Sequence, residues 1–129
     1  MTNSNLRIRA SQLDALGASR KGALEQRITA GLAELAAKSS HPFSHSRLVA
    51  AAGFAATRAP EFGLLSERDY FLFACLVLMA ALDGPPAEQN RWVWQALHTP
   101  GLSGSVKLQR IYADARIAHL QPAIGLQHE

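Results

Sequence analysis

The stretch from residue 62 to residue 84, FGLLSERDYFLFACLVLMAALDG, contains the longest apolar run in the chain. The thirteen residues from Tyr70 to Leu82 carry no charge, so the run could be a membrane anchor, the buried centre of a folded domain, or a surface for a partner. A membrane-spanning helix needs about 20 apolar residues. This run is shorter, and the charged sequence SERD precedes it while DGPP follows it. We therefore expect no membrane anchor.

The same stretch carries the start and stop signals of a helix. Ser66 stands at the N-cap position, and Asp69, three residues later, lies where the helix dipole favours a negative charge. Gly84 and the two prolines after it are typical of a helix end. Apolar side chains surround this helix on every side, which is typical of a helix enclosed by others. The pattern predicts a central apolar helix over about residues 66–83.

The rest of the chain also favours helices. Alanine is abundant while valine, isoleucine and threonine are sparse. Amphipathic patterns predict helices at 11–17 and 19–38, which could merge into one, and a third helix at 44–58 or 46–58. They also predict a short helix within 87–98 and a last helix at 106–120, for which Ser103 or Ser105 is the N-cap. We predict an all-α, single-domain bundle of about five to six helices over residues 1–129, with 1–9 and 121–129 expected to fray.

Composition and charge exclude several classes of function. The chain has 129 residues, a net charge of +3, and thirteen basic residues dispersed among acidic ones, whereas a nucleic-acid site needs clustering. Its single cysteine, Cys75, allows no intrachain disulfide, which fits a reducing compartment. The N-terminal residues have no apolar signal-peptide core. We expect a cytoplasmic protein that binds neither nucleic acid nor membrane.

Residues that could carry catalysis or bind metal are few. Cys75 lies among apolar neighbours, which is typical of a buried hydrophobe rather than a nucleophile. His41 and His45 are four residues apart, but Pro42 lies between them, and no acidic or cysteine ligand stands nearby. Glu61 and Glu67 flank a glycine-containing turn, as the acid of a small hydrolase could. Turn and helix-start roles explain both glutamates, so we expect no catalytic residue, metal or cofactor.

Bulky aromatic residues in the second half of the chain suggest a protein interface. Trp92 and Trp94 are two positions apart and so lie on different faces of a helix, with Trp94 expected to be the more exposed. Aromatic anchors with arginines around them are common at interfaces, although such aromatics can also complete a core. We predict Trp92 and Trp94 as partner-binding anchors, with Arg68, Arg91 and Arg110 as charges at the rim.

Much of the chain resembles a family of small helical proteins encoded beside spike and effector genes of bacterial type VI secretion systems. The most distinctive matches are FGLLSERD and LSGSVK, while the family's aromatic-Asp-Pro segment is replaced here by GPPAEQNRW. The matching positions are Ile8, Gln12, Leu13, Leu16, Glu25, Arg27, Leu32, Phe62, Gly63, Leu64, Ser66, Glu67, Arg68, Asp69, Phe73, Leu76, Leu78, Gly84, Trp92, Leu102, Gly104 and Lys107.

The resemblance implies a non-catalytic accessory protein: an adaptor or co-chaperone that holds a secreted effector or its loading partner. An immunity protein that neutralises a cognate toxin is the alternative within the same class of binding modules. A small hydrolase using Glu61 or Glu67 is the alternative from another class. In the first two cases the partner is another protein, and whether the chain also forms a homodimer stays open.

Overall fold

A computed structural model describes residues 2–38 and 43–120, with only the backbone described as far as residue 19. The described residues form five α-helices: α1 (Thr2–Ala37), α2 (His45–Arg58), α3 (Glu67–Ala80), α4 (Arg91–Leu97) and α5 (Gly104–Ala113). Short 3-10 helices span Ala59–Phe62, Glu88–Asn90 and Ala115–His119. No described residue lies in a β-strand. The predicted all-α bundle is confirmed.

The first helix is longer than the sequence predicts. We expected a polar lead over residues 1–9 and a helix start near Ser11, whereas α1 begins at Thr2 and continues to Ala37. The alternative in which the two N-terminal helices merge is therefore the observed one. Gly17 and Gly22 do not end the helix, because a glycine inside a helix costs only about 1 kcal/mol relative to alanine. The C-terminal residues 121–129, which we expected to fray, lie outside the described residues.

The core forms where α1, α2 and α3 pack together, and α4 and α5 cover its other end. Four alanines of α2 and the following turn have no exposed surface, which lets neighbouring helices approach its backbone closely. The buried apolar residues of the core are Ile28, Leu32, Leu48, Ala51, Ala52, Ala55, Ala59, Phe62, Leu64, Phe73, Ala74, Leu76, Val77, Leu78, Ala80, Leu82, Val93, Leu97, Leu108 and Ile111.

The central helix α3 is enclosed less completely than its sequence predicts. Phe73, Leu76 and Val77 are fully buried, whereas Cys75 and Met79 are only half-buried. The C-terminal turns of α1 cover this second side in part and leave an apolar cleft beside it. An apolar residue on every side of a helix therefore does not require a neighbour on every side.

The end of α3 differs from the predicted stop at Gly84. The helix ends at Ala80, and Ala81 adopts the left-handed conformation, with φ of 52°. The N–H of Leu82 then donates to the carbonyl of Val77 at 3.2 Å, as in a Schellman motif. Buried Asn90 fixes this turn, because its side-chain amide donates to the carbonyl of Ala80 at 2.9 Å. Tertiary contacts thus place an alanine where glycine is usual.

Replacing Ala81 with glycine is expected to stabilise the fold by about 0.5–1 kcal/mol. The left-handed conformation costs an L-residue about 1–2 kcal/mol, and the greater chain entropy of glycine in the unfolded state cancels part of the gain. The urea midpoint should rise with an unchanged slope. A lower midpoint for Ala81→Gly would contradict the left-handed turn.

Candidate binding surface

The α4–α5 cleft is a surface depression of about 270 Å³ that contains two of the predicted partner-binding residues, Trp92 and Arg110. Trp92 is half-buried, and the guanidinium of Arg116 lies 4.4 Å from the centroid of one of its rings. The residues that line this cleft are Trp92, Gln95, Ala96, Thr99, Arg110, Ile111, Asp114 and Arg116. It therefore combines a large aromatic side chain with two arginines.

Arg116 is held in place by a neighbouring carboxylate. Its Nη2 donates to Oδ2 of Asp114 at 2.9 Å, and its backbone N–H donates to Oδ1 of the same residue at 2.8 Å. These hydrogen bonds lower the pKa of Asp114 to about 2, so its carboxylate is ionised at neutral pH. The charge of Arg116 is thus matched within the chain, and its guanidinium serves to cover Trp92.

The α3–α5 cleft, of about 440 Å³, lies along another side of α5 and contains the predicted residue Arg68. Ser66 caps α3 by accepting from the N–H of Asp69 at 3.0 Å, as the sequence predicts. The Asp69 carboxylate accepts from the hydroxyl of Ser105 at 2.6 Å, which joins the start of α3 to α5. The residues that line this cleft are Arg68, Asp69, Leu72, Ser105, Leu108, Gln109, Tyr112 and Ala113.

Tyr112 forms an aromatic wall of the α3–α5 cleft and is fixed by a hydrogen bond. Its hydroxyl donates to the carbonyl of Leu72 at 2.5 Å. Burial, and secondarily the nearby Cys75, raise the pKa of the phenol well above its usual value. Tyr112 is therefore a neutral, positioned donor at any physiological pH, and the residue as a whole is half-buried.

The two clefts share α5 as a common wall, and we call the surface they form with it the α5 face. Three of the five predicted residues, Trp92, Arg110 and Arg68, lie on it. Within the described part of the chain, Arg68 and Arg110 form no ion pair and no side-chain hydrogen bond, and both are exposed. The α5 face thus presents two arginines whose charges are not matched by a described residue.

The other two predicted residues lie elsewhere. Trp94 packs against Phe62, with ring centroids 6.0 Å apart, and lies beneath the guanidinium of Arg58. It is half-buried like Trp92, so the expectation that Trp94 is the more exposed finds no support. Arg91 is exposed and pairs with Glu88 at 3.0 Å. The two tryptophans do face different sides of α4, as their spacing predicts.

Sequence reasoning missed Arg116 and Ser105 as members of the α5 face. We expected one helix over 106–120, but α5 ends at Ala113 and Asp114 is extended, with φ of −74° and ψ of 135°. The side chain of Asp114 caps a following 3-10 helix instead. This break directs Arg116 back onto Trp92. The only sequence signal for it was the aspartate itself, since Asp favours caps over helix interiors.

The two glutamates of the hydrolase alternative are engaged in separate ion pairs. Glu61 pairs with Arg58, and Glu67 pairs with Arg27 of α1 at 2.9 Å. Their side chains are 55% and 53% exposed, respectively, and neither lines a described cleft. Elsewhere, His45 is exposed at the start of α2, while His41 lies outside the described residues. Among the side chains that the structure describes, those of residues 20–38 and 43–120, no three His, Cys, Asp or Glu residues form a group that could hold a metal ion.

Cys75 lies in a third, apolar cleft of about 290 Å³ between α1 and α3. The residues lining it are Leu32, Leu35, Ala36, Lys38, Phe43, Cys75, Leu78 and Met79. Leu35 is 52% exposed at its edge. Burial raises the pKa of the Cys75 thiol to about 11. The thiol is therefore protonated at neutral pH, which is the opposite of what a nucleophile needs.

Alkylation of Cys75 by iodoacetamide is expected to be about 100-fold slower in the folded chain than in the urea-unfolded chain at pH 8. The reacting species is the thiolate, and a rise of the pKa from 9.0 to about 11 lowers the thiolate fraction by about that factor. Mass spectrometry of the single cysteine measures both rates. A folded-state rate within about threefold of the unfolded rate would contradict the raised pKa.

None of the helices that the structure describes is both long enough and apolar enough to cross a membrane. Comparison of the chain with protein-family models, with curated proteins and with solved structures finds no match.

Proposed function

We propose that this protein is a non-catalytic, cytoplasmic accessory protein of a type VI secretion system, an adaptor or co-chaperone that holds an effector or its loading partner. The resemblance of FGLLSERD and LSGSVK to the family described above supports the biological setting. The α5 face supports the binding role, and both stretches lie beside it: Arg68 and Asp69 close the first, and Ser105 lies in the second.

The observation that carries the binding role is the composition of the α5 face. Half-buried Tyr112 belongs to α5 and half-buried Trp92 to the neighbouring α4, and exposed Arg68 and Arg110 stand at the two clefts. Tryptophan, tyrosine and arginine are the residues most enriched among those that dominate the binding energy of protein interfaces. Half-buried aromatics are already positioned, so a partner loses little conformational entropy of these side chains when it binds.

The geometry of Glu61 and Glu67 favours a binding module over a hydrolase. A general acid acts from a shielded site within hydrogen-bond reach of its substrate. Each glutamate is instead paired with an arginine and is more than half exposed. In a Glu61→Gln, Glu67→Gln double variant we expect full biological activity. Loss of activity in a variant with unchanged thermal stability would favour the hydrolase.

Affinity purification with the products of neighbouring genes tests the proposed function. The tagged chain should retain an effector or a component of its loading complex, and Trp92→Ala with Arg110→Ala should weaken that binding by at least about tenfold. Arg20→Ala, an exposed arginine of α1, is the matched control and should bind as the wild type does. Capture of none of these products by the folded wild-type chain would contradict the proposal.

The same experiment separates an adaptor from an immunity protein. A captured adaptor partner remains active, and its secretion falls when the gene for this protein is deleted. A captured toxin that is silenced on co-expression, with unchanged secretion in the deletion strain, would replace the adaptor proposal with the immunity alternative.

A further inference from the structure

Most arginines whose side chains the structure describes form an ion pair with a carboxylate. Two of the three that form no such pair lie on the α5 face. Arg27, Arg47, Arg58, Arg91 and Arg116 each form an ion pair. Among the arginines of residues 20–38 and 43–120, whose side chains are described, only Arg20, Arg68 and Arg110 form none, and the last two both stand on the α5 face.

The surroundings of Arg68 and Arg110 suit pairing with carboxylates of another molecule. Each arginine borders a cleft with an aromatic wall, Tyr112 beside Arg68 and Trp92 beside Arg110. A partner side chain that enters either cleft would displace water and lower the local dielectric constant, which strengthens an ion pair at its edge. Arginine is the cation best suited to a carboxylate, because its planar fork donates two parallel hydrogen bonds.

The acidic residues of the α5 face limit the kind of anion that fits. Arg68, Arg110 and Arg116 contribute three positive charges, and Asp69 and Asp114 contribute two negative ones, so the lining residues have a net charge of +1. A nucleic acid needs a continuous basic patch along its phosphates. Separated arginines beside apolar walls instead suit a protein segment with a few carboxylates between apolar residues.

We infer that the α5 face recognises an acidic segment of a partner protein, in which carboxylates pair with Arg68 and Arg110 while apolar side chains contact Trp92 and Tyr112. This inference rests on the proposed function and adds the chemistry of the recognised segment. Binding of this kind weakens with added salt, because the two arginines are exposed and their charges are screened.

Fluorescence anisotropy with synthetic peptides tests the inference. The probe is a labelled peptide of repeated Glu-Glu-Leu, and the comparison probes are a Lys-Lys-Leu peptide and an oligothymidylate of equal length. The acidic peptide should bind at low salt, and the Arg68→Glu, Arg110→Glu double variant should weaken its binding by at least about tenfold. The lysine peptide should not bind.

The control variant is Arg20→Glu with Lys21→Glu, which makes the same change in net charge on exposed positions of α1. It should weaken binding of the acidic peptide by less than about twofold. Equal losses in the two double variants, equally tight binding of the oligothymidylate, or no binding of the acidic peptide would each overturn the inference. Circular dichroism verifies that each variant is folded. If the Arg68→Glu, Arg110→Glu variant unfolds, the milder Arg68→Gln, Arg110→Gln variant takes its place in the binding measurement.

Failure of this inference is distinguishable from failure of the proposed function. A gene-neighbour partner that stays bound at high salt and to the Arg68→Glu, Arg110→Glu variant would overturn the acidic segment while leaving the adaptor role in place. Capture of no partner by the wild-type chain removes the adaptor role itself.

Discussion

Replacing Arg47 with alanine is expected to lower the free energy of unfolding by about 3–5 kcal/mol. Arg47 is at the start of α2 and forms two hydrogen bonds to the carboxylate of Asp83, at 2.8 and 2.7 Å. The arginine side chain is 6% exposed and that of Asp83 17%. Removal of Arg47 leaves a largely buried negative charge without its partner just beyond the end of α3. Urea unfolding followed by circular dichroism measures the loss.

The matched control is Arg91→Ala, which breaks the exposed pair with Glu88 and should cost less than about 1 kcal/mol. A second variant, Arg47→Met with Asp83→Leu, should recover much of the loss, because it removes both buried charges together. Nε of Arg47 is buried without a partner among the described residues, so the native pair does not satisfy every donor. A loss below about 1 kcal/mol for Arg47→Ala would contradict the buried pair.

Replacing Gly104 with alanine is expected to destabilise the fold by about 3 kcal/mol, at the upper end of the usual cost of overpacking. Gly104 is buried at the start of α5, against the turn that ends at Gly63. A Cβ at this position would lie 2.5 Å from the carbonyl oxygen of Gly63 and 2.8 Å from a methyl group of Leu64. The backbone atom cannot move aside as a side chain can, so α5 would shift away from the core.

The matched control is Gly53→Ala in α2, where an added Cβ meets no atom within 4 Å. That substitution should stabilise the protein by about 0.5–1 kcal/mol, because alanine is the better helix former. If Gly104→Ala lowers the free energy of unfolding while Gly53→Ala raises it, the effect of close packing at Gly104 is distinguished from the effect of helix propensity. A neutral or stabilising Gly104→Ala would show that α5 does not lie as close to the turn at Gly63 as the structure places it.

The starts of α2, α3 and α5 could be predicted from the sequence because each depends on a few local residues. Ser44, Ser66 and Ser103 each accept a backbone N–H three residues later, as expected of N-cap residues. Of the two candidates for the cap of α5, Ser103 takes that position and Ser105 bonds to Asp69 instead. His98 contacts the carbonyl of Trp94 through Nδ1 at 2.7 Å, as is common for a histidine at the C-terminal end of a helix.

The ends of α3 and α5 were harder to predict than the starts of these two helices. The left-handed turn at Ala81 depends on Asn90, which bonds to Ala80 ten residues before it in the chain, and no rule based on glycine position identifies this turn. The end of α5 depends on Asp114, whose side chain accepts the N–H of Arg116 in preference to a further helical turn. Both errors moved a predicted boundary by several residues without changing the fold class.

The α5 face could be predicted only in its residue types. Aromatic and arginine residues in the second half of the chain suggested an interface, and Trp92, Arg68 and Arg110 do lie on one face. Arg68 and Arg110 belong to different helices, so sequence spacing does not place them on the two sides of α5. The same limit applies to Trp94, which packs on Phe62 across 32 positions of sequence.

Hydrogen exchange of the wild-type chain, with and without its captured partner, tests the α5 face most directly. We predict slower exchange in residues 104–113 and around Trp92 when the partner is bound, with unchanged exchange on the outer face of α2. Slower exchange confined to α1 and α2, with α5 unaffected, would contradict the proposed binding surface.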